Sequence, residues 1–490
     1  MLSRYVFLFA QVSGYLVAAE ATEPNPPIPI RFTLQKPSFV TLVIEDAAGR
    51  RVRNLVSETR FEAGEQVVWW DGLDETPGNF RGPIYEIQGK PIEPGSYRVR
   101  GLAREALSLK YEFTVYNAGQ PPWRTGKGQA GEWLADHSPP SSVLFVPGDD
   151  KNPEAQILIG SQVAEQGDGL VWTDLNGRKL KGAHGVGGAW TGAHFLTRDE
   201  GPARDADIYA YTCSTWKSND PKKSELRLLG LSRTKAPQVI IPYTFDRDAA
   251  RELHGWDTEY NYVGGVAAFN GIIVVTLPSL GKMLIVDAKA KKLISEIAGS
   301  DATGVAFDRS GRLLAIANNR VVRHDSRDWH APVQTLPPAP VLISAGLDEP
   351  RQIASDASGT LYISDRGRSH CVKVFSADGA LLRTIGKPGV PSAGVYDPRR
   401  MSNPNGLTLT SDGHVWVAED DHAPKRVSIW TRDGVFVRAL YGPSRYGGGG
   451  NLSTDKKRFY YYDAKNGSGG GMEFSLDWDG GKSELSSIYK

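Results

Sequence analysis

The amino-acid sequence predicts an all-β protein in which a small β-sandwich precedes a β-propeller of six or seven blades. The main observation is that residues 350–386 and 404–442 repeat one pattern. Each copy has a proline before an alternating strand, a turn ending in glycine, a second strand ending in an acid (Asp365, Glu419), and an Asp-Gly turn between its third and fourth strands. Four short strands repeated at this spacing are typical of propeller blades, which bury their faces only against neighbouring blades.

The composition agrees with a chain of strands and turns. Its 490 residues include 54 glycines and 31 prolines but only 4 methionines, which favours many turns over long helices. The formal net charge is +1 and the charged residues are well mixed, so the sequence carries no basic footprint for nucleic acid or for an anionic membrane surface.

The N-terminal segment, residues 1–21, predicts a signal peptide. Arg4 precedes an apolar stretch, and small residues follow near a cleavage position at Ala19 or Ala21. We therefore expect a secreted or periplasmic protein with no membrane span in the mature chain, the alternative being a disordered N-terminal tail. The two cysteines, Cys213 and Cys371, lie in different repeats and are predicted to be free thiols.

Residues 28–117 predict the sandwich, since several alternating segments are separated by glycine turns. The runs AGEQVVWWDG (63–72) and PGSYRVR (94–100) resemble the FlgD-type immunoglobulin-like domain of flagellar hook-capping proteins, a module that also occurs on many secreted bacterial proteins. This resemblance implies an immunoglobulin-like fold with a scaffolding role and no catalysis. Adjacent Trp69 and Trp70 are expected to face opposite sides of their strand.

Residues 118–140 are rich in Pro, Gly and Trp and predict a connector, and residues 141–490 predict the propeller. The blade pattern projects backwards to residues 141–183, 189–243, 263–297 and 303–343, and residues 447–490 are a candidate seventh blade. Pro404-Asn405-Gly406, Asp412-Gly413 and the Val372–Phe375 strand resemble NHL repeats. That resemblance implies an NHL-like β-propeller, a group that includes protein- and RNA-binding scaffolds and a minority of enzymes such as lyases and lactonases. The domain order also resembles that of large secreted proteins of environmental bacteria.

One face of the propeller is expected to collect the polar residues that a ligand would need. It is built from the connections that enter each first strand and from those that join strands two and three. The candidates on this face are His184, His194, His254, Asp257, Glu259, Arg351, Arg366, His370, Asn405, Glu419 and His422. Convergent polar groups favour a pocket, whereas the alternative interpretation is that long loops are polar because they are solvated.

Two groups of these residues have more specific interpretations. His254, Asp257 and Glu259 can ligate a metal or act as acid and base, or they can close a loop over the channel. His370 and His422 occupy matching places in successive repeats, so a histidine pair facing Glu419 would suit a divalent ion or a lyase base. The alternative is that these histidines bond to their own loops. No cofactor is predicted, and a calcium or zinc ion is kept as an alternative.

These observations favour an exported binding or interaction scaffold whose propeller channel face engages a protein or polysaccharide ligand. One alternative is a carbohydrate-active lyase or hydrolase that uses histidine, carboxylate and arginine on the same face. Another is a structural element of a cell-surface assembly.

Overall fold

The computed structural model describes residues 27–77, 89–108, 110, 112, 115, 134–135, 137–150, 152–162, 167–187, 191–220, 222–246, 262–325, 328–442, 450–462 and 470–489. Contacts divide the chain into two units, Met1–Lys110 and Tyr111–Lys490. The described residues are almost entirely strands and turns, with one short 3-10 helix at Pro278–Leu280. The all-β prediction is confirmed.

The first unit contains two small antiparallel sheets around one core. Strand β1 pairs with β4, and β2 lies between β3 and β5. Its strands are β1 (Ile28–Leu34), β2 (Ser38–Glu45), β3 (Arg51–Phe61), β4 (Gly64–Trp70) and β5 (Arg98–Arg104). Alternate side chains of both sheets, such as Ile30, Leu42 and Ile44, are buried together. Trp70 joins this core at 4% exposure while Trp69 is 58% exposed, which confirms that the two tryptophans face opposite sides.

The second unit contains six four-stranded antiparallel sheets, each made of four consecutive strands, with the first strand at the inner edge. Blades one to three are β6 (Pro140–Val146), β7 (Gln156–Ser161), β8 (Leu170–Thr173), β9 (Lys179–Ala183); β10 (Phe195–Thr197), β11 (Ile208–Lys217), β12 (Lys223–Ser232), β13 (Gln238–Asp246); and β14 (Gly265–Phe269), β15 (Ile272–Leu277), β16 (Lys282–Asp287), β17 (Lys292–Ala298). Blades four to six are β18 (Val305–Phe307), β19 (Leu313–Ala317), β20 (Arg320–His324), β21 (Val341–Ile343); β22 (Pro350–Ser355), β23 (Leu361–Asp365), β24 (Cys371–Phe375), β25 (Leu381–Ile385); and β27 (Pro404–Leu409), β28 (His414–Glu419), β29 (Arg426–Thr431), β30 (Phe436–Tyr441). The strands of each blade lie within the segment projected from the sequence or extend at most three residues beyond it.

The six sheets form a closed ring. Each first strand contacts the first strand of the next blade, and β27 of blade six contacts β6 of blade one. A separate buried apolar cluster fills each of the six blade interfaces. Neighbouring residues on one strand serve opposite interfaces, because successive side chains of a strand point to opposite faces: Tyr362 packs against blade six and Ile363 against blade four. The ring is therefore a six-bladed β-propeller.

The inner strands approach each other closely where they begin. A Cβ atom on Gly304 would lie 2.1 Å from the carbonyl oxygen of Arg351, and one on Gly406 would lie 2.5 Å from Cα of Ser142. Only glycine fits at such positions, since any side chain would push neighbouring blades apart.

The C-terminal segment does not add a seventh blade. It forms β31 (Gly450–Leu452), β32 (Arg458–Tyr462), β33 (Gly471–Asp477) and β34 (Lys482–Tyr489), and β34 also pairs with β26 (Gly394–Val395) from the connection between blades five and six. This five-stranded sheet has its own core around Met472 and Phe474. The strand spacing resembled a blade, but the ring is already closed by β27 and β6, which leaves no gap for another sheet.

Both cysteines, Cys213 and Cys371, are buried free thiols, as expected. Burial raises the pKa of the Cys371 thiol to about 12, so it is protonated at neutral pH. No helix in the described part of the chain is long and apolar enough to cross a membrane.

Candidate ligand-binding site on the front face of the propeller

The inner strands of all six blades begin at one end of the channel, which we call the front face, and end at the other, the back face. In blade five, Pro350 pairs with Asp365 at the front face. Arg351, which follows the proline, and Arg366, which follows the acid, therefore lie there together. The corresponding residues of blade six are Asn405 and Asp420.

Four polar residues from three blades meet on the front face. Nη2 of Arg366 lies 2.7 Å from Oδ2 of Asp420, so blades five and six are joined by an ion pair. Nη1 of Arg351 lies 3.7 Å from Oε1 of Glu349, too far for a hydrogen bond. The charges of Arg351, Arg366 and Asp420 all act on His194, which immediately precedes β10 of blade two. We call His194, Arg351, Arg366 and Asp420 the front-face cluster.

His194 is the buried member of this cluster. It is 4% exposed, its ring packs against Phe195 with a centroid distance of 4.3 Å, and its Nδ1 atom has no hydrogen-bond partner among the described residues. The pKa of His194 is lowered from 6.5 to about 4, mainly by burial; Asp420 opposes this change, and Arg351 and Arg366 add to it. The imidazole is therefore uncharged at neutral pH.

Arg351 is the cationic member that a ligand can reach most easily, since 34% of its side-chain surface is exposed against 13% for Arg366. Burial first and the neighbouring Arg366 second lower its pKa to about 10, with Asp420 and Glu349 opposing the change. It remains cationic at neutral pH. A guanidinium group with weakly engaged donors can form paired hydrogen bonds with a carboxylate or with vicinal hydroxyl groups.

Glu419 lies in a different environment from the one predicted for it. It is fully buried, its Oε2 atom accepts a hydrogen bond of 2.7 Å from the backbone N–H of Ser402, and Nε of Arg426 lies 2.9 Å from Oε1. Burial raises the pKa of Glu419, and the Arg426 charge opposes that rise. Because both members of this ion pair are about 1% exposed, Glu419 is not available to a ligand in solution.

The other predicted histidines in the described residues are not part of the cluster as defined above. Nδ1 of His184 donates to the carbonyl oxygen of Gly167 at 2.8 Å. Nδ1 of His370 accepts from the backbone N–H of Asn403 at 3.1 Å, so this buried histidine supports the segment that leads into β27. His422 lies half-buried in the turn between β28 and β29.

Asn405 connects blade six to blade one and is too buried for a ligand to contact it. It is 4% exposed, and its Nδ2 atom donates to the carbonyl oxygen of Ser141 in blade one at 2.8 Å. His254, Asp257 and Glu259 lie outside the described residues. Within the described ranges, no three His, Cys, Asp or Glu side chains are grouped so that they could hold a metal ion.

The sequence analysis did not select Asp420 as a site residue, and it missed a cavity inside the channel. This cavity has a volume of about 410 Å³ and is lined by all six inner strands. It extends from Ser141 and Gln352, just behind the front-face cluster, to Arg198, Glu200 and Arg309 where the inner strands end. The local sequence did not indicate this cavity, because strands from six different blades form it together.

No protein-family model and no curated protein matches this sequence. Among solved structures, the chain is similar to hydrazine synthase from Kuenenia stuttgartiensis (16% identity, 46% of this chain, 65% of that chain, TM-score 0.29). It is also similar to a chain of a nidogen/laminin complex (16% identity, 57% of this chain, 96% of that chain, TM-score 0.32) and to a gluconolactonase from Xanthomonas campestris (16% identity, 47% of this chain, 76% of that chain, TM-score 0.28). This chain thus spans 65% of the hydrazine synthase chain. These likenesses are too low to support a function, and the six-bladed fold rests on the sheets described above.

Proposed function

We propose that this protein is an exported binding scaffold whose propeller front face engages an extracellular or cell-surface protein or polysaccharide. In this proposal, a FlgD-type immunoglobulin-like module precedes an NHL-like propeller, as the sequence resemblances imply. The observation that carries the proposal is the front-face cluster, where the partly exposed guanidinium of Arg351 has Glu349 as an ion-pair partner at 3.7 Å but forms no hydrogen bond with it.

The chemistry of the cluster favours a ligand that offers carboxylate or hydroxyl oxygens. Arg366 forms an ion pair with Asp420, and its Nε atom donates a hydrogen bond of 3.4 Å to the carbonyl oxygen of Pro404. These two contacts fix its position. Arg351 is less constrained and presents the donors. Acidic or hydroxyl-rich polysaccharides and acidic protein loops both provide matching acceptors.

Export is supported by the N-terminal sequence, with its basic residue, apolar stretch and small residues before Ala21. Expression of the full chain in a Gram-negative host, followed by fractionation and N-terminal sequencing, tests this point. We expect a periplasmic or secreted product that begins close to residue 20 or 22. Retention of Met1 in a cytoplasmic product would contradict export without affecting the binding proposal.

A binding screen tests the main proposal. The purified mature protein is measured against neutral and acidic polysaccharides and against acidic proteins, with and without added calcium or zinc. We expect Arg351→Ala to weaken binding of the best ligand about 10-fold, because a hydrogen bond to a charged group is lost. Arg178→Ala removes an exposed arginine from a turn of blade one and serves as the matched control, with an unchanged affinity expected. Equal affinities for the wild type and Arg351→Ala would reject the front face as the binding surface.

A carbohydrate lyase or hydrolase is the second candidate, and one observation favours it: the uncharged imidazole of His194 lies within the electrostatic influence of two guanidinium groups and a carboxylate. A neutral histidine can accept a proton while arginine stabilises a developing negative charge. Binding is preferred over catalysis because His194 is 4% exposed, so a substrate on the surface would reach Arg351 first. Release of unsaturated or shortened sugar products by the wild type, and its loss in His194→Phe, would reverse that preference.

A further inference from the structure

The cavity inside the channel is a second feature of the propeller that is suited to a ligand. Its volume of about 410 Å³ lies within the range of small-molecule sites. We propose that it binds a small anion with an apolar body, such as an aromatic or branched aliphatic carboxylate, which enters from the back face. This site is separate from the front-face cluster and does not depend on the function proposed for that cluster.

The walls of the cavity provide the apolar part of the site. Phe145, Phe269 and Phe307 line it and are each only partly buried, so part of each ring is not covered by its own blade. The rings of Phe269 and Phe307 lie next to each other, with a centroid distance of 5.7 Å. Ala306 and Ala354, also partly buried, leave room between the aromatic walls. An apolar ligand body would cover these surfaces and displace water from them.

The charged residues that line the cavity lie at its back-face opening. Arg198 already forms an ion pair with Glu200. Asp308 is used by its own turn, where it accepts from the backbone N–H of Arg312 at 3.0 Å and from Nε of the same residue at 2.7 Å. Arg309 is exposed and forms no ion pair with any residue in the described ranges. Among the described residues that line the cavity, Arg309 is therefore the charged side chain without an ion pair, and its charge favours an anionic head group.

The wall also carries backbone polar groups. Each inner strand is the edge of its sheet, so part of its N–H and C=O groups have no partner strand and point toward the channel axis. These groups favour a ligand with a polar atom over a purely hydrocarbon one. His194 and Arg198 are four residues apart on one extended segment, so the front-face cluster and the back-face rim are separated by about 13 Å along the strand. That distance allows the two sites to be tested independently.

Two fluorescent probes test the proposal with the mature full chain. The first, 1-anilinonaphthalene-8-sulfonate, has an aromatic body and a negative charge, and the second, N-phenyl-1-naphthylamine, has nearly the same body without the charge. We expect both to bind with a stoichiometry of one. Arg309→Ala should weaken the sulfonate about 10-fold and the neutral probe less than about 2-fold, because only the first loses a charged hydrogen bond.

Two further variants complete the test. Ala306→Leu fills part of the cavity and should weaken both probes at least about 5-fold, and Ala354→Leu replaces it if that variant does not fold by circular dichroism. Arg178→Ala, whose exposed side chain does not line the cavity, should leave both affinities unchanged. The proposal is overturned if the cavity-filling variant binds both probes like the wild type, or if Arg309→Ala affects the two probes equally.

Discussion

Blades five and six are built on one pattern but use its positions differently. The residue after the first proline is Arg351 in blade five, where it is partly exposed on the front face, and Asn405 in blade six, where it is buried against blade one. The acid that ends the second strand is Asp365 in blade five and Glu419 in blade six. Equivalent positions in the two blades therefore have different partners.

The acid that ends the second strand of each blade illustrates this difference. Asp365 caps the segment before β22, with its Oδ1 atom accepting from the N–H groups of Asp348 at 3.0 Å and Glu349 at 2.8 Å. It is also paired with Lys373 at 2.5 Å. The residue directly opposite Asp365 on β24 is Cys371, and Lys373 lies two residues further along that strand. The buried acid of blade five is therefore held by both backbone donors and a diagonally placed lysine.

In blade six, the residue directly opposite the acid is Arg426. Its guanidinium pairs with Glu419, donates to the carbonyl oxygen of Pro398 at 2.7 Å and also bonds to the hydroxyl of Tyr396. Tyr396 and Tyr441 both pack against the core of the C-terminal sheet. The buried ion pair therefore connects blade six to the segment that precedes it and to that sheet.

The largest predicted effect is at this ion pair. Arg426→Ala should lower the free energy of unfolding by about 3–5 kcal/mol, because it leaves the carboxylate of Glu419 buried without its partner. Lys373→Ala, the matched change in blade five, should cost about 1–2 kcal/mol, because Asp365 keeps its backbone N–H donors. Urea unfolding of both variants measures the difference.

Arg426→Lys provides the control, since it retains the charge but not the bonds to Tyr396 and Pro398, and it should fall between the wild type and Arg426→Ala. Equal losses for Arg426→Ala and Lys373→Ala would show that the two blades use their acids in the same way.

The next largest effect is a pH dependence of the free energy of unfolding, caused by His194 on the front face. Blade five contributes Arg351 and Arg366 to this face. The pKa of His194 is lowered from 6.5 to about 4 in the folded protein, so the unfolded chain binds a proton first as the pH falls. The contribution of the His194 imidazole to the free energy of unfolding is present above pH 6.5 and is lost as the pH falls toward 4. Between pH 7 and pH 5 it should account for a loss of about 2 kcal/mol.

His194→Phe keeps a ring that cannot be protonated, so the comparison isolates the imidazole. We expect this variant to lose about 2 kcal/mol less than the wild type on going from pH 7 to pH 5, as measured by urea unfolding at both pH values. Parallel pH profiles for the two proteins would show that His194 becomes protonated without opposing the fold.

The strands of the propeller could be predicted from local sequence because each blade repeats its own turns and alternation. The two repeats with Asp-Gly turns located blades five and six, and strand spacing located the others. Closure could not be predicted, since it depends on contacts such as those of β27 with β6, more than 250 residues away in the chain. For the same reason, the sequence left open whether the C-terminal strands form a seventh blade.

The sequence predicted the face of the propeller on which the candidate site lies, but not the arrangement of its residues. Sequence position placed Arg351, Arg366 and His194 at one end of the channel, and the structure brings these three together with Asp420. It could not show that Glu419 is turned inward, because that orientation is fixed by Arg426 across the strand pair. The sequence also could not show the cavity, because the cavity forms only where the inner strands of six blades surround one axis.

The smallest predicted effect compares Asn405 and Arg351, which occupy the same position in the two blades. Asn405→Ala should lower the free energy of unfolding by about 1–2 kcal/mol, because the buried carbonyl of Ser141 loses its donor. Arg351→Ala should change it by less than about 0.5 kcal/mol, since its side chain is partly exposed and its removal also removes repulsion with Arg366. Urea unfolding compares the two variants. If Arg351→Ala proves the more destabilising, Arg351 also holds the ring together, and a loss of ligand binding in that variant would no longer identify the front face as a binding surface.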